Sequence, residues 1–188
     1  MNNMNKFLGI FILSIFSLSC SSDLDFDQVN DLKLEPILVA NLATFDIPAN
    51  EFVIGGVEQN VAGDVMSFNA FKNSYLTDAL KRADFFFEIE NTISRAYQVN
   101  LYLLDANNSP LYTIPFDVPA YAGVQNIVTK TEIFENANLD LLKRTKNIGF
   151  KIAMYPGPPL SESSLGSLKL RSSATVYFVV EWEKYYCF

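Results

Sequence analysis

The chain has 188 residues, 14 Lys and Arg against 21 Asp and Glu, a formal net charge of −7, 49% hydrophobic residues and no histidine. An acidic balance without basic clusters gives phosphate backbones nothing to bind, so no nucleic-acid partner is expected. The lack of histidine removes the commonest general base, the usual nucleophile activator and the commonest transition-metal ligand together.

Residues 1 to 19 hold one cation, Lys6, followed by an uncharged apolar run from Phe7 to Leu18. The run is shorter than the ~20 residues of a bilayer-spanning helix. It ends in small residues beside Cys20, which predicts a cleaved secretory signal. All 21 acidic residues and 13 of the 14 basic ones follow that point, so the exported chain carries −8. Electrostatic attachment to anionic lipid is therefore not expected.

The Ser17-Leu18-Ser19-Cys20 segment resembles the lipobox of bacterial lipoproteins. The resemblance implies that Cys20 carries diacylglycerol and becomes the first residue of the exported chain. Several acyl chains on one cysteine make a durable attachment to the membrane. Ser17 stands where that family usually has Leu, and Leu18 where it has a small residue; relaxed forms of this kind occur in Bacteroidota-type lipoproteins. Ser21 follows the cysteine and, by resemblance to the enterobacterial sorting rule, implies the outer membrane. Ser22 to Asp27 resembles the acidic signal that exports some Bacteroidota-type lipoproteins to the outer face. Lipid on Cys20 leaves Cys187 without an intrachain disulfide partner despite the oxidising compartment.

Residues 20 to 32 read as the lipidated cysteine and an acidic tether, and residues 33 to 188 as a single domain. In the tether Asp23, Asp25, Asp27 and Asp31 stand at positions 1, 3, 5 and 9 of a calcium loop. The sixth position is Gln28 instead of Gly and the twelfth Leu34 instead of Glu, so no metal is expected.

From Ile37 to Ile47 Val39, Ala43, Phe45 and Ile47 share one alternation, with Asn41 the exception, which predicts a strand. Residues 49 to 66, with Gly55, Gly56 and Gly63, read as irregular or hairpin structure. Ser67 is placed to cap a helix whose Phe68, Phe71, Tyr75, Leu76 and Leu80 form one face, with Lys81 and Arg82 at its negative end. Strands follow at Asp84 to Asn91 and Tyr97 to Asp105, joined by alternation of apolar and polar residues to two sheet faces. The turn-rich Asp105 to Pro110 predicts an antiparallel hairpin. Further strands are expected near 112 to 118 and 123 to 133, a short helix over Asn136 to Arg144, and a strand at Asn147 to Met154 stopped by Pro156 to Pro159. The last strand sets Val176, Phe178, Val180 and Trp182 against Thr175, Tyr177, Glu181 and Glu183.

This pattern predicts a mainly β fold: an antiparallel Greek-key, immunoglobulin-like β-sandwich with one or two short helices in its connections. The element order over residues 84 to 186 resembles the late-embryogenesis-abundant (water-stress) β-sandwich, which implies no catalytic residue. The text from FFFEIENT through GSLKLRSSATVYF resembles small Bacteroidota-type outer-membrane lipoproteins.

Ser-x-x-Lys, G-x-S-x-G, P-loop and dinucleotide-binding glycine patterns are absent, so no cofactor and no catalytic residue are expected. Cys187 reads as a packed thiol. Glu88 and Glu90 stand about 6.6 Å apart along a strand, a span that inverting glycosidases use. Alternate glutamates on a solvated strand face explain the pair better, and Glu181 with Glu183 repeats it. Tyr102, Tyr155 and Tyr177 are the candidate contacts for a ligand or partner, since tyrosine rings give contact area at low entropy cost. The expected function is that of a non-enzymatic, membrane-anchored envelope module that binds or scaffolds another component. The alternatives are a glycan- or peptide-binding surface lipoprotein using the tyrosines and the Pro156 to Gly166 loop, and a carboxylate-dependent glycosidase.

Overall fold

A computed structural model describes residues 33–68 and 73–181. The readings for the signal segment, Cys20, the acidic tether, Phe71, Trp182, Glu183 and Cys187 lie outside these residues. Leu34–Val180 forms one compact unit.

The strands run β1 (Lys33–Leu34), β2 (Ile37–Pro48), β3 (Val53–Ile54), β4 (Val57–Glu58), β5 (Val61–Ser67), β6 (Leu80–Asn91), β7 (Tyr97–Leu104), β8 (Pro110–Val118), β9 (Ile127–Glu135), β10 (Asn147–Met154), β11 (Ser167–Phe178) and β12 (Val180–Glu181). Two short helices lie in connections, α1 (Ser74–Ala79) and α2 (Ala137–Arg144), and a 3-10 turn covers Ala49–Phe52. The main strands make two four-stranded antiparallel sheets, ordered β2-β11-β6-β9 and β5-β10-β7-β8. This is the expected antiparallel Greek-key sandwich, and its strand order is that of the eight-stranded jelly roll, built from two Greek keys.

Alternation makes the core. Phe85, Phe87 and Ile89 of β6, Val99, Leu101 and Leu103 of β7 and Leu168, Leu170 and Ala174 of β11 are all buried. The Phe85 ring lies 5.0 Å from Phe134 and 6.4 Å from Phe87, and Phe87 lies 5.8 Å from Phe116, so phenylalanines of both sheets meet. Each such side chain contributes roughly 1.5–3 kcal/mol through its burial.

Four local readings change, the simplest being the last strand, which ends at Phe178 instead of running on through Val180, so that Val180–Glu181 is the separate β12. The exception at Asn41 is a β-bulge: β11 pairs Arg171 with Thr44 but Ser173 with Asn41, so two residues of β2 oppose Ser172. The phase of β2 slips there, and Leu42 instead of Ala43 packs on the core with Phe45 and Ile47. The buried Ser172 hydroxyl bonds both to the N–H (3.0 Å) and to the carbonyl (2.6 Å) of Ala43, satisfying the backbone the bulge leaves over.

The segment 49 to 66 holds a hairpin, as one of its two readings had it. Gly55 and Gly56 both have positive φ, 58° and 78°, the requirement of a tight type I′ turn. It also holds β5, which no alternation announced. Gly63 breaks its pattern because a Cβ there would stand 2.6 Å from the Phe150 carbonyl oxygen.

The helix predicted from Ser67 is shorter. Ser67 closes β5 opposite Asn147, and the cap is Asn73, whose side chain accepts from the Tyr75 N–H at 2.9 Å. Leu80 begins β6 opposite Phe178, so Lys81 and Arg82 lie in a strand and not at a helix terminus. Long-range pairing overrides the local helical pattern.

Candidate functional site

The strands place all connections at two ends of the sandwich. One end gathers residues 34–37, 67–68, 73–80, 104–110, 135–147 and 177–180. The other, the loop end, gathers 48–60, 91–97, 118–127 and 154–167.

The loop end is held by buried polar groups. Arg95 is only 5% exposed. Its Nε donates to the Tyr155 carbonyl at 2.6 Å, its Nη1 to the Pro158 carbonyl, and its Nη2 to Glu58 Oε2 at 3.2 Å. The other Glu58 oxygen accepts the Leu160 N–H at 2.8 Å. One guanidinium–carboxylate pair thus fastens the β3–β4 hairpin to the Pro-rich loop, and the fork geometry of arginine allows it to satisfy three acceptors at once.

A second anchor lies beside it. The buried Asn91 amide donates to the carbonyls of Arg95 (2.8 Å) and Pro119 (2.7 Å) and accepts from the Ile93 N–H (2.9 Å). The Thr92 hydroxyl accepts from the Ser167 N–H at 2.8 Å, and the Thr92 N–H donates to the Ser167 carbonyl at 3.0 Å. Gly166, with φ 97°, approaches so closely that a Cβ would lie 2.2 Å from the Thr92 carbonyl oxygen. Tyr97, fully buried with its ring 5.1 Å from Phe52, has a hydroxyl without a hydrogen-bond partner among the described residues. Burial pushes its pKa well above the ordinary 10.

Between the hairpin and the loop lies an open depression of about 430 Å³ lined by Val53, Gly56, Leu160, Ser161, Glu162 and Ser163. The same two segments expose Ile54 (67%), Val57 (62%) and Leu165 (87%) to solvent. The Ser161 N–H donates to Ser164 Oγ at 2.8 Å, and the hydroxyls of Ser161 and Ser163 are 3.0 Å apart. Apolar side chains beside short hydroxyls on a braced frame suit recognition of another surface.

The tyrosines do not assemble into one platform. Tyr102 alternates with buried Leu101 and Leu103 on the outer face of β7. Tyr177 lies on the outer face of the opposite sheet, under the Arg82 guanidinium at 5.5 Å and with its hydroxyl 3.4 Å from Asp84 Oδ2. Only Tyr155 belongs to the loop end. Its hydroxyl donates to Asp117 Oδ1 at 2.7 Å, and this bond to a carboxylate raises its pKa.

Glu88 and Glu90 face outward from β6, and both are bridged by Arg171 of the neighbouring strand, at 2.8 and 3.2 Å. The bridge engages both carboxylates that a glycosidase would need as acid and base. Among the described residues no group of three or more Cys, Asp or Glu is placed to hold a metal, and no helix is long and apolar enough to cross a membrane.

Arg95, Glu58 and Asn91 are the residues that organise this end, and sequence reasoning did not select them. Arg95 stands in a five-residue connection, and its partners are 37, 60 and 63 residues away. No local pattern marks such a residue; the one available signal is an arginine in a short link between two strongly apolar strands.

No family model matches the chain, and no curated protein matches it. Among solved structures it is similar to the infectious bursal disease virus VP2 subviral particle, at 12% identity and a TM-score of 0.43 over 77% of this chain. The chain spans about a third, 32%, of that protein. A predicted secreted protein from Parabacteroides distasonis is similar at 12% identity and a TM-score of 0.42, with 62% of this chain and 38% of that one covered. Desmodium yellow mottle tymovirus is similar at 12% identity and a TM-score of 0.35, covering 78% and 90%. None of these likenesses carries a function across.

Proposed function

We propose that this chain is a non-enzymatic, lipid-anchored module of the bacterial outer membrane that binds or scaffolds a partner protein through the loop end of its jelly roll. The observation that carries the reading is the separation of the two ends. The chain enters the compact unit at Leu34, three residues before β2, while the depression and its exposed apolar residues stand past the far end of that strand. Twelve residues of strand separate them by roughly 35 Å at about 3.3 Å per residue. A chain tethered through Cys20 enters at one end and holds its recognition loops at the other.

The bracing by Arg95 and Asn91 supports the same reading, because loops fixed before contact lose less entropy on binding. The lipobox resemblance at Cys20 supports the anchor. Cys20→Ala is expected to abolish acyl-label incorporation and membrane fractionation; continued labelling would contradict the anchor. Pull-down from detergent-solubilised membranes is expected to recover one stoichiometric protein, and Ile54→Asp with Leu165→Asp to lose it. A glycan-array response with no protein partner would favour sugar recognition by Ser161, Ser163 and Tyr155 instead.

A further inference from the structure

The chain enters and leaves the compact unit side by side. Ile37 pairs with Tyr177, the Phe178 N–H donates to the Pro36 carbonyl at 3.1 Å, and the Val179 N–H donates to the Ala79 carbonyl at 2.8 Å. The segment from Leu34 to Ile37 and the last turn of α1 therefore flank the exit of the chain at residues 178–180.

Around this exit apolar side chains face water. Leu34 and Ile37 are 47% and 59% exposed, and Tyr75 and Leu76, one helical turn before Ala79, are 39% and 36% exposed. The core does not need them, because Leu80, Leu139 and Leu142 already fill this end from within. In sequence, Trp182, Tyr185, Tyr186 and Phe188 follow the exit. Trp and Tyr are the side chains enriched where water meets lipid.

We propose that this end of the sandwich is seated on the bilayer that holds the Cys20 lipid, with Leu34, Ile37, Tyr75 and Leu76 in the headgroup zone. The inference rests on the lipid anchor proposed above and adds an orientation to it, with the loop end directed away from the membrane. The chain outside the compact unit selects lipid as the occupant. Leu34 stands 14 residues after Cys20, a stretch that reaches at most about 50 Å when fully extended, and it enters the unit among the exposed apolar side chains. A bilayer held within that reach meets this end at high effective concentration, so a small apolar surface suffices. The other exposed apolar cluster, Ile54, Val57 and Leu165, stands past the far end of β2. Charge does not oppose the contact: residues 34–37, 73–84, 104–110, 135–147 and 177–180 hold five cations and six anions, one charge from neutral in a chain of −7.

The test uses the full acylated chain in phosphatidylcholine vesicles, either plain or brominated in the acyl chains beside the headgroups, since bromine quenches an indole only at close range. Trp182 is the single tryptophan. Trp182→Phe therefore gives a dark background into which Leu34→Trp, Leu76→Trp or Leu165→Trp places one reporter at an exposed position. Emission from Leu34→Trp and Leu76→Trp is expected to fall by roughly half in the brominated vesicles, as for side chains seated 5–10 Å into the headgroup boundary. Leu165→Trp is expected to emit equally in both. Acyl label on Cys20 without quenching of Leu34→Trp and Leu76→Trp, as when a protein and not lipid covers this end, would overturn the proposal and leave the anchor standing. Absence of the label would overturn both. Equal quenching of all three reporters would also contradict the orientation.

Discussion

The two ends of the sandwich are closed by different chemistry. At the loop end, buried polar side chains join segments far apart in sequence: Arg95 to Glu58, Tyr155 and Pro158, and Asn91 to Pro119. At the opposite end the side-chain bonds are mostly local and exposed, and the connections are joined chiefly through the backbone, Phe68 N–H to the Lys146 carbonyl at 2.7 Å and Lys146 N–H to the Leu104 carbonyl at 2.8 Å, with Asn147 Nδ2 donating to Asn108 Oδ1 at 2.7 Å. Asp105 Oδ1 accepts the N–H groups of Asn107 and Ser109, both at 2.8 Å, Asn73 caps α1, and buried Leu80, Leu139 and Leu142 fill the space beneath. Apolar plugs tolerate small shifts, whereas a guanidinium with three fixed acceptors does not. The difference teaches that shape at the loop end is specified by buried, directional side-chain bonds, and at the other end by apolar packing, local turns and backbone bonds.

Substitutions that remove one side of this contrast should separate by size. Arg95→Ala leaves the Glu58 carboxylate and two carbonyls without their donor, and breaking such a largely buried pair costs about 3–5 kcal/mol. Chemical denaturation should show this loss, and partner capture should fall with it. Gly166→Ala forces a side chain into the Thr92 carbonyl at a positive φ and should cost about 2 kcal/mol, read as a lower melting temperature. At the other end, Asp105→Ala removes two exposed turn bonds and should cost about 1 kcal/mol without altering partner capture.

The smallest effect is expected at Tyr97. Its buried hydroxyl has no partner among the described residues, so Tyr97→Phe should be neutral or stabilising within about 1 kcal/mol. The pH dependence has a definite sign. Burial raises the folded-state pKa of Tyr97 above the ordinary 10, so its contribution to stability is full below pH 10 and is lost as pH rises toward the raised value. Tyr97→Phe should therefore flatten the loss of stability above pH 10 in an alkaline unfolding series.

The contrast also explains what the sequence discloses. The strands β6, β7, β10 and β11 are legible because each buries one face and exposes the other, and the Asp105 turn is legible because its chemistry is local. The slip in β2 leaves only the odd placement of Asn41, since the cause is Ser172 bonding to Ala43, 129 residues away. β5 hides because most of its residues are exposed and Gly63 yields to Phe150. The helical stripe from Phe68 misleads because Leu80, Lys81 and Arg82 are taken by pairing with β11 and β9. At the candidate site, the loop from Pro156 to Gly166 and Tyr155 are visible in advance. Arg95, Glu58 and Asn91 are not, because their roles exist only after the fold has brought three loops together. Tyr102 and Tyr177 are legible as outward residues, but alternation within a strand does not tell which sheet the strand joins.

The measurement closest to the central claim is site-specific photocross-linking in intact envelopes. A photoreactive residue replaces Leu165 at the loop end in one variant and Leu76 of α1 at the opposite end in another; both side chains reach solvent, at 87% and 36%. The loop-end probe is expected to yield one discrete protein adduct and the α1 probe none. An adduct from α1 alone, or no adduct from Leu165, would contradict the assignment of recognition to the loop end.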